Sequence, residues 1–118
     1  SPGLTQHSLI APPEGKTRAE SVAHWTRHHT PLALRIHLSM CRYVQNVIVE
    51  SLGPDQGEDD PFVGIAELHF YTLDDLRKRL FDSEQGKREI YDDLPRFTDL
   101  SRALSSNMRE LVLRTPSP

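Results

Sequence analysis

Two segments of the chain, residues 41–50 and 62–71, are rich in β-branched and aromatic residues and carry apolar side chains on both alternating faces. This pattern is typical of β-strands whose two faces are both covered. The residues between them, 52–61, are mostly glycine, proline and acidic residues, and they predict a mobile polar loop. The sequence therefore predicts two consecutive strands in the middle of the fold.

A helix is predicted on either side of these two strands, and each helix begins with a capping motif. Thr17 and Glu20 have the spacing of a capping box, and Thr72 with Asp75 repeats the arrangement. The second helix is expected to be interrupted at residues 83–86 and to resume in a further helical piece. The helices thus flank the strand pair in sequence.

The first helix carries half of the six histidines. A helical wheel at about 100° per residue predicts an apolar face formed by Ala19, Val22, Trp25, Thr26 and His29. The same wheel places His24 and His28 on the opposite, solvent-exposed face. Pro31 is expected to bend or end the helix, because the residue before a proline resists the helical conformation. The form of residues 32–39 stays open.

Short strands are also predicted at both ends of the chain, at residues 4–10 and 104–114. The order β-α-β-β-α-β is that of the ferredoxin-like α+β fold, a four-stranded antiparallel sheet with two helices on one face. At 118 residues the chain has room for one core. We therefore predict a single domain at residues 4–114, with flexible termini at residues 1–3 and 115–118.

Helices on one face leave the other face of the sheet open, although the two central strands are apolar on both sides. A second copy of the chain is the simplest cover for that face. The sequence therefore predicts a homodimer joined sheet to sheet.

Charge and composition exclude several classes of protein. The net charge of −3 argues against nucleic acid as the partner, because such domains normally carry a basic surplus. No apolar run reaches the roughly 18–20 residues of a membrane span, and no signal-peptide pattern opens the chain, so a cytoplasmic protein is expected. Cys41 is the single cysteine, which excludes a disulfide framework, and it is expected to be a buried, unreactive thiol.

His29 is the leading candidate for chemistry. An imidazole exchanges protons near neutral pH, and a histidine on an apolar helix face lies where a general acid/base is needed. The alternative is a structural histidine bonded to a backbone carbonyl. Tyr43 is the second candidate, either as a hydroxyl that polarises a substrate carbonyl or as a packing residue. Trp25 is expected to form part of the pocket wall.

A second group of polar residues is expected on the strands. Glu67 and His69 share one side of their strand, and His7 is expected to join them because the first and third strands are neighbours in this topology. As functional residues they contact substrate, with the Glu67 carboxylate orienting the His69 imidazole or holding a metal. The alternative is that Glu67 faces the dimer barrel and pairs with an arginine. Asn46 lies on the opposite side of its strand from Tyr43, which ranks it below Tyr43 as a substrate contact.

His24 and His28 have the i, i+4 spacing that chelates zinc or nickel. The sequence offers no clear third ligand beside them, so an exposed pair is expected. We predict neither a metal nor any other cofactor.

The chain resembles the EthD-domain family of the dimeric α+β barrel superfamily. The matching pieces, in order, are Trp25 with His29-Thr30-Pro31-Leu32, Arg42-Tyr43-Val44-Gln45-Asn46, Gly64-Ile65-Ala66-Glu67-Leu68, and Asp92 or Asp93 with Phe97 and Asp99. The resemblance implies a dimeric barrel and places the family's recurrent histidine at His29. The activities it implies are diverse and commonly cofactor-free: ether degradation, dehydration in polyketide pathways, monooxygenation, lactone isomerisation and cyclisation.

Three departures from the family pattern fall where a pocket would be lined. Val47 replaces a histidine that often follows the Gln-Asn pair, Phe62-Val63-Gly64 replaces Tyr-Asp-Gly, and His69 replaces a tryptophan. The substrate of a relative therefore does not transfer to this chain.

The sequence favours a cofactor-independent lyase or isomerase that acts on a small, largely apolar carbonyl or polyketide-like compound. His29 would remove a proton next to the carbonyl, with Tyr43 as the polarising donor and with Trp25, His7, Glu67, His69 and Asn46 as substrate contacts. One alternative is a non-catalytic ligand-binding or accessory dimer, in which His29 is structural. A further alternative is a cofactor-free monooxygenase, an oxidoreductase.

Overall fold

The computed structural model describes residues 3–50 and 61–109. Its strands are β1 (Leu4–Ile10), β2 (Met40–Val47), β3 (Gly64–Phe70) and β4 (Ser105–Arg109), and its helices are α1 (Arg18–Ala23), α2 (Thr30–Ile36), α3 (Leu73–Lys78) and α4 (Glu84–Asp93). A π-helical segment, His24–His29, joins α1 to α2, and a 3-10 turn, Leu94–Arg96, follows α4. Residues 52–60 of the predicted loop, the strand continuation at 110–114 and most of both predicted flexible termini lie outside the described residues.

The four strands form one sheet in the order β2-β3-β1-β4, and every neighbouring pair is antiparallel. This is the predicted α+β, ferredoxin-like arrangement, with β1 and β3 paired at the centre. The predicted bounds of β1 are correct to the residue. β2 ends earlier and β3 begins later than predicted. Beyond these ends the two segments are still joined by isolated backbone hydrogen bonds, such as the one from the Ile48 N–H to the Val63 carbonyl (2.8 Å).

Both capping motifs form as the sequence predicts. Thr17 and Glu20 make the reciprocal bonds of a capping box, and the Thr72 side chain accepts the Asp75 N–H. The predicted interruption at 83–86 is wrong in detail. Ser83 is the N-cap of α4 and accepts the Gly86 N–H, so residues 84–86 already form the first turn of that helix.

Of the bend or end expected at Pro31, the end is wrong, since the helix continues through the proline to Ile36. The π-helical turn before Pro31 is wider than an α-turn, and this relieves the clash between a proline ring and the carbonyl four residues earlier. The Trp25 carbonyl in that turn accepts hydrogen bonds from Thr30 Oγ1 (3.3 Å) and Gln45 Nε2 (3.2 Å). Side chains therefore supply bonds to a carbonyl in the widened turn.

The π-helical turn changes which residues share a face. Residues five apart become neighbours in a π-helix, so His24 lies beside His29, and the predicted opposition of these two histidines is wrong. Trp25 and His29 are buried as expected, whereas Ala19 is exposed and Ser21 takes the buried position one turn before Trp25.

The core lies between the sheet and the helices. Trp25 is fully buried there, and it packs in one cluster with Ile10, Val63, Ala66 and Phe97. The register of the sheet assigns Thr5, His7, Val44, Ile65, Glu67 and His69 to the other, outer face. Of these six only Thr5 is buried and the other five are half-buried, so the outer face is only partly covered within the described chain.

Gly64, at the start of β3, provides a test of this packing. A methyl group added there would meet the Trp25 ring 2.6 Å from Cζ3 and would also contact the Asn46 carbonyl oxygen. Gly64→Ala is therefore expected to destabilise the fold by about 1–3 kcal/mol, because neither neighbour can move away freely. Thermal unfolding would show a melting temperature several degrees lower, and an unchanged melting temperature would contradict this packing.

Candidate active site

A cavity of about 430 Å³ lies between the sheet and the helices. Its wall is mostly apolar and includes Trp25, Leu68, Phe81 and Phe97. Four side chains with titratable groups, His29, His37, Tyr43 and Tyr91, also line it. The cavity therefore combines an apolar surface with few polar groups, as expected of a small-molecule site.

His29 is held against a buried carboxylate. Its Nδ1 lies 2.8 Å from Asp93 Oδ2, and both residues are buried. The His29 ring also packs at a tilt on Phe97, with ring centroids 4.7 Å apart. With Nδ1 bonded to Asp93, Nε2 is the ring nitrogen left to act on a molecule in the cavity.

The charges of this pair are set by opposing effects. Burial lowers the pKa of His29, and it outweighs the hydrogen bond and the charge of Asp93, which act to raise that pKa. Burial alone would raise the pKa of Asp93, but the hydrogen bonds and charges of His24 and His29 bring it below its usual value. At neutral pH the pair is thus a neutral imidazole that donates from Nδ1 to a carboxylate, which is the arrangement of a general base and its orienting acid.

All three clustered histidines converge on Asp93. His24 Nε2 lies 2.8 Å and His28 Nδ1 lies 3.2 Å from Asp93 Oδ1, the oxygen that His29 does not use. The expectation of an exposed His24–His28 pair is correct for His28, whose side chain is 59 % exposed, and wrong for His24, which is 19 % exposed. The wheel failed here because its constant angular step does not hold across the π-helical turn.

Tyr43 lies on β2 with its hydroxyl beside two donors. Gln45 Nε2 donates to that hydroxyl at 3.2 Å, and the Trp25 indole is a further hydrogen-bond partner. Burial raises the pKa of Tyr43 despite these bonds, so the phenol keeps its proton. A protonated phenol whose lone pairs are bonded by donors can give its own proton to an acceptor in the cavity.

His37 was not found from the sequence. Its Nδ1 lies 2.7 Å from the Leu80 carbonyl oxygen, and its ring packs at a tilt on Phe81. Burial lowers the pKa of His37, against the opposing effects of the Leu80 carbonyl and the Asp82 charge. A sequence signal for His37 exists, since it lies eight residues, or about two helical turns, after His29. The predicted end of the helix at Pro31 concealed this relation.

Asp93 entered the sequence analysis only as one alternative within a segment that resembles a family pattern. No local periodicity singles it out, since its partners lie more than sixty residues away in the chain. A buried carboxylate opposite a histidine cluster becomes recognisable only when the packing of α4 on the π-helical segment is known.

The remaining predicted substrate contacts lie on the outer face of the sheet, away from this cavity. Glu67 Oε1 is 3.1 Å from His69 Nε2 and 3.7 Å from His7 Nε2, and Asn46 donates to the other oxygen of Glu67. Thr5 Oγ1 bonds to His69 Nδ1 at 3.1 Å. Tyr43 and Asn46 point to opposite faces, because the irregularity of β2 falls at Met40–Arg42, before both of them.

Cys41 lies at that irregularity and is exposed, so the expectation of a buried thiol is wrong. Its Sγ is 3.3 Å from the His69 carbonyl oxygen.

The structure thus brings His29, Tyr43 and Trp25 together at one cavity and gathers His7, Asn46, Glu67 and His69 on the opposite face.

The lowered pKa of His37 predicts a pH dependence of stability. An unfolded chain protonates this residue near pH 6.5, whereas the folded chain does so only at lower pH, so the unfolded state binds more protons between these values. Stability therefore decreases as the pH falls below about 6.5. His37→Asn, whose amide can still donate to the Leu80 carbonyl, is expected to lose less melting temperature than the wild type between about pH 7.5 and 5. Equal losses in calorimetry would contradict this role of His37.

Within the part of the chain that the structure describes, no helix combines the length and the hydropathy needed to cross a bilayer. No protein of curated function is significantly similar to this chain in sequence.

Several solved structures share the fold. An EthD family protein from Bacillus halodurans superposes with a TM-score of 0.69 at 17% identity, covering 92% of this chain and 99% of that one. An EthD-like protein from Ralstonia eutropha has a TM-score of 0.67 at 16% identity, covering 96% of each chain. A hypothetical protein from Arabidopsis thaliana has a TM-score of 0.66 at 11% identity, covering 98% of this chain and 94% of that one.

At these identities the likeness is one of fold. The sequence itself matches the EthD domain model over residues 13–101, a range that includes the histidine cluster, Tyr43 and Asp93. The chain belongs to the EthD domain family.

Proposed function

We propose that this protein is a cofactor-independent enzyme that removes a proton from the carbon next to a carbonyl group in a small, largely apolar substrate. The observation that carries the proposal is the buried His29–Asp93 pair at the wall of an apolar cavity that Tyr43 also lines. Dehydration, isomerisation and cyclisation of carbonyl compounds all begin with this proton transfer.

In this mechanism His29 Nε2 takes the proton, and the imidazolium that forms is stabilised by the Asp93 carboxylate 2.8 Å from Nδ1. The negative charge moves to the carbonyl oxygen as an enolate, where the Tyr43 hydroxyl donates a hydrogen bond. The bond with Asp93 also fixes which nitrogen of His29 carries the proton, so the base is oriented before a substrate enters.

The cavity supports an aromatic or polyketide-like substrate. A volume of about 430 Å³ accommodates a one- or two-ring molecule, and rings such as Trp25, Phe81 and Tyr91 contribute to its wall. His37 offers a second neutral imidazole, which can bind a polar substituent at a distance from the reacting carbon. An apolar cavity also keeps water away from the enolate, which strengthens the hydrogen bond from Tyr43.

The proposal is tested by hydrogen–deuterium exchange at the carbon next to the carbonyl of 1-tetralone in heavy water, followed by NMR. We expect the wild-type protein to accelerate this exchange above the buffer rate. His29→Ala should lose about 10²- to 10⁴-fold of the protein-catalysed rate, because a positioned general base contributes that much. Tyr43→Phe should also lower the rate, since it removes the donor to the enolate oxygen.

The matched control is Arg27→Ala, on the same π-helical segment but exposed, which should exchange at the wild-type rate. Exchange at the buffer rate in the presence of the wild type would contradict enolate formation from this ketone, and equal rates for wild type and His29→Ala would contradict the role of His29. Binding of 1-tetralone without exchange would favour the non-catalytic ligand-binding alternative. Oxygen consumption in the same assay would favour the monooxygenase alternative.

We also infer that the protein is a homodimer through the outer face of the sheet. Leu9, Val44 and Ile65 lie on that face by register and are only half-buried. A second copy would cover these apolar groups and remove them from water.

The dimer is tested by light scattering at micromolar concentration, where twice the chain mass of 13.5 kDa is expected. Ile65→Glu should shift the mass toward the monomer, because it places a charge among apolar groups in the contact. A monomeric mass for the wild type would contradict this inference.

A further inference from the structure

We propose that His24, His28 and Asp93 form a binding site for a divalent transition-metal ion such as Zn²⁺. Their ligand atoms, His24 Nε2, His28 Nδ1 and Asp93 Oδ1, all lie within 4.8 Å of one another. Two imidazoles and one carboxylate are a ligand set that zinc and its neighbours in the first transition row favour over calcium or magnesium.

The distances are close to those of a tetrahedral site. With metal–ligand bonds of about 2.0–2.1 Å, the ligand atoms of such a site lie about 3.3 Å apart. The carboxylate oxygen is 2.8 Å from His24 Nε2 and 3.2 Å from His28 Nδ1. The two distances to the carboxylate oxygen are therefore within about half an ångström of that spacing. The two imidazole nitrogens lie within 4.8 Å of each other, and rotation of the exposed His28 side chain can close the remaining gap.

The surroundings hold these ligands in place. The second oxygen of Asp93 bonds to His29 Nδ1 at 2.8 Å, which fixes the orientation of the carboxylate from behind. The His24 ring stacks on Phe97 with centroids 5.8 Å apart, and it lies 4.5 Å from the His28 ring. Two of the three ligands thus lie in a preformed position, and the exposed His28 completes the set.

An ion can reach the site from the surface. A hollow of about 200 Å³ opens beside it and is lined by His28, Leu32, Glu89, Asp92, Asp93 and Arg96. Its three acidic side chains outnumber its single arginine, which favours the approach of a cation, although Glu89 is also paired with Arg35 at 3.2 Å. The hollow leaves a fourth coordination position for water.

The experiment is calorimetric titration of the EDTA-treated full chain with ZnCl₂. We expect one equivalent of Zn²⁺ per chain and no heat of binding with MgCl₂. His28→Ala should weaken Zn²⁺ binding by at least about 10- to 100-fold, the loss typical even for groups that only support a ligand. Because His28 is largely exposed, this variant should fold as the wild type does, which its melting temperature checks.

His7→Ala is the matched control, since it removes an imidazole on the outer face of the sheet and should leave Zn²⁺ affinity unchanged. With Co²⁺ in place of Zn²⁺, a visible absorption band of a four-coordinate ion should appear in the wild type and be absent in His28→Ala. Wild-type Zn²⁺ affinity in His28→Ala, or no saturable binding at all, would overturn the site. The titration needs no substrate, so its outcome is independent of the proposed enzyme activity.

Discussion

The candidate active site depends on the contacts between the Asp93 carboxylate and three histidines. A buried carboxylate costs several kcal/mol unless charges and hydrogen bonds compensate it. Here three imidazoles do so, with His29 on one oxygen and His24 and His28 on the other. Because Asp93 ends α4 and the histidines belong to the π-helical segment, the same contacts join the two long helical elements above the sheet. The contacts that compensate the buried charge of Asp93 thereby also fix the position of the candidate base, His29.

The π-helical turn is what allows this convergence. In a regular α-helix His24 and His29 would point in different directions, since residues five apart do not share a face. The wider turn aligns them and also accommodates Pro31, so that the chain continues into α2 and brings His37 to the same cavity. π-helical turns are rare, because their backbone hydrogen bonds are weakened and other groups must compensate for them. They are found often at functional sites. Thr30 and Gln45 supply part of it through their bonds to the Trp25 carbonyl.

The sequence predicts the order of elements well because that order depends on local signals. Alternating apolar residues give β1 its bounds, and Thr17 and Thr72 start their helices through hydrogen bonds that span only three residues. The candidate base His29 follows from the buried position of Trp25 one turn earlier. His37, Asp93 and the position of His24 could not be predicted in the same way. They depend on the π-helical widening of the first helix and on contacts between residues more than sixty positions apart in the chain. A helical wheel with a constant angular step describes neither.

The sheet separates the apolar cavity on its inner face from the polar side chains on its outer face. Because side chains alternate along each strand, Tyr43 and Leu68 face the helices while Asn46, Glu67 and His69 face outward. A substitution on one face therefore changes the side-chain contacts of that face and not those of the other. The fold is shared with solved structures at 11–17% identity, and a shared fold hosts different functions. For this chain, chemistry must be deduced from its own His29, Asp93 and Tyr43, since the shared fold alone does not specify a substrate.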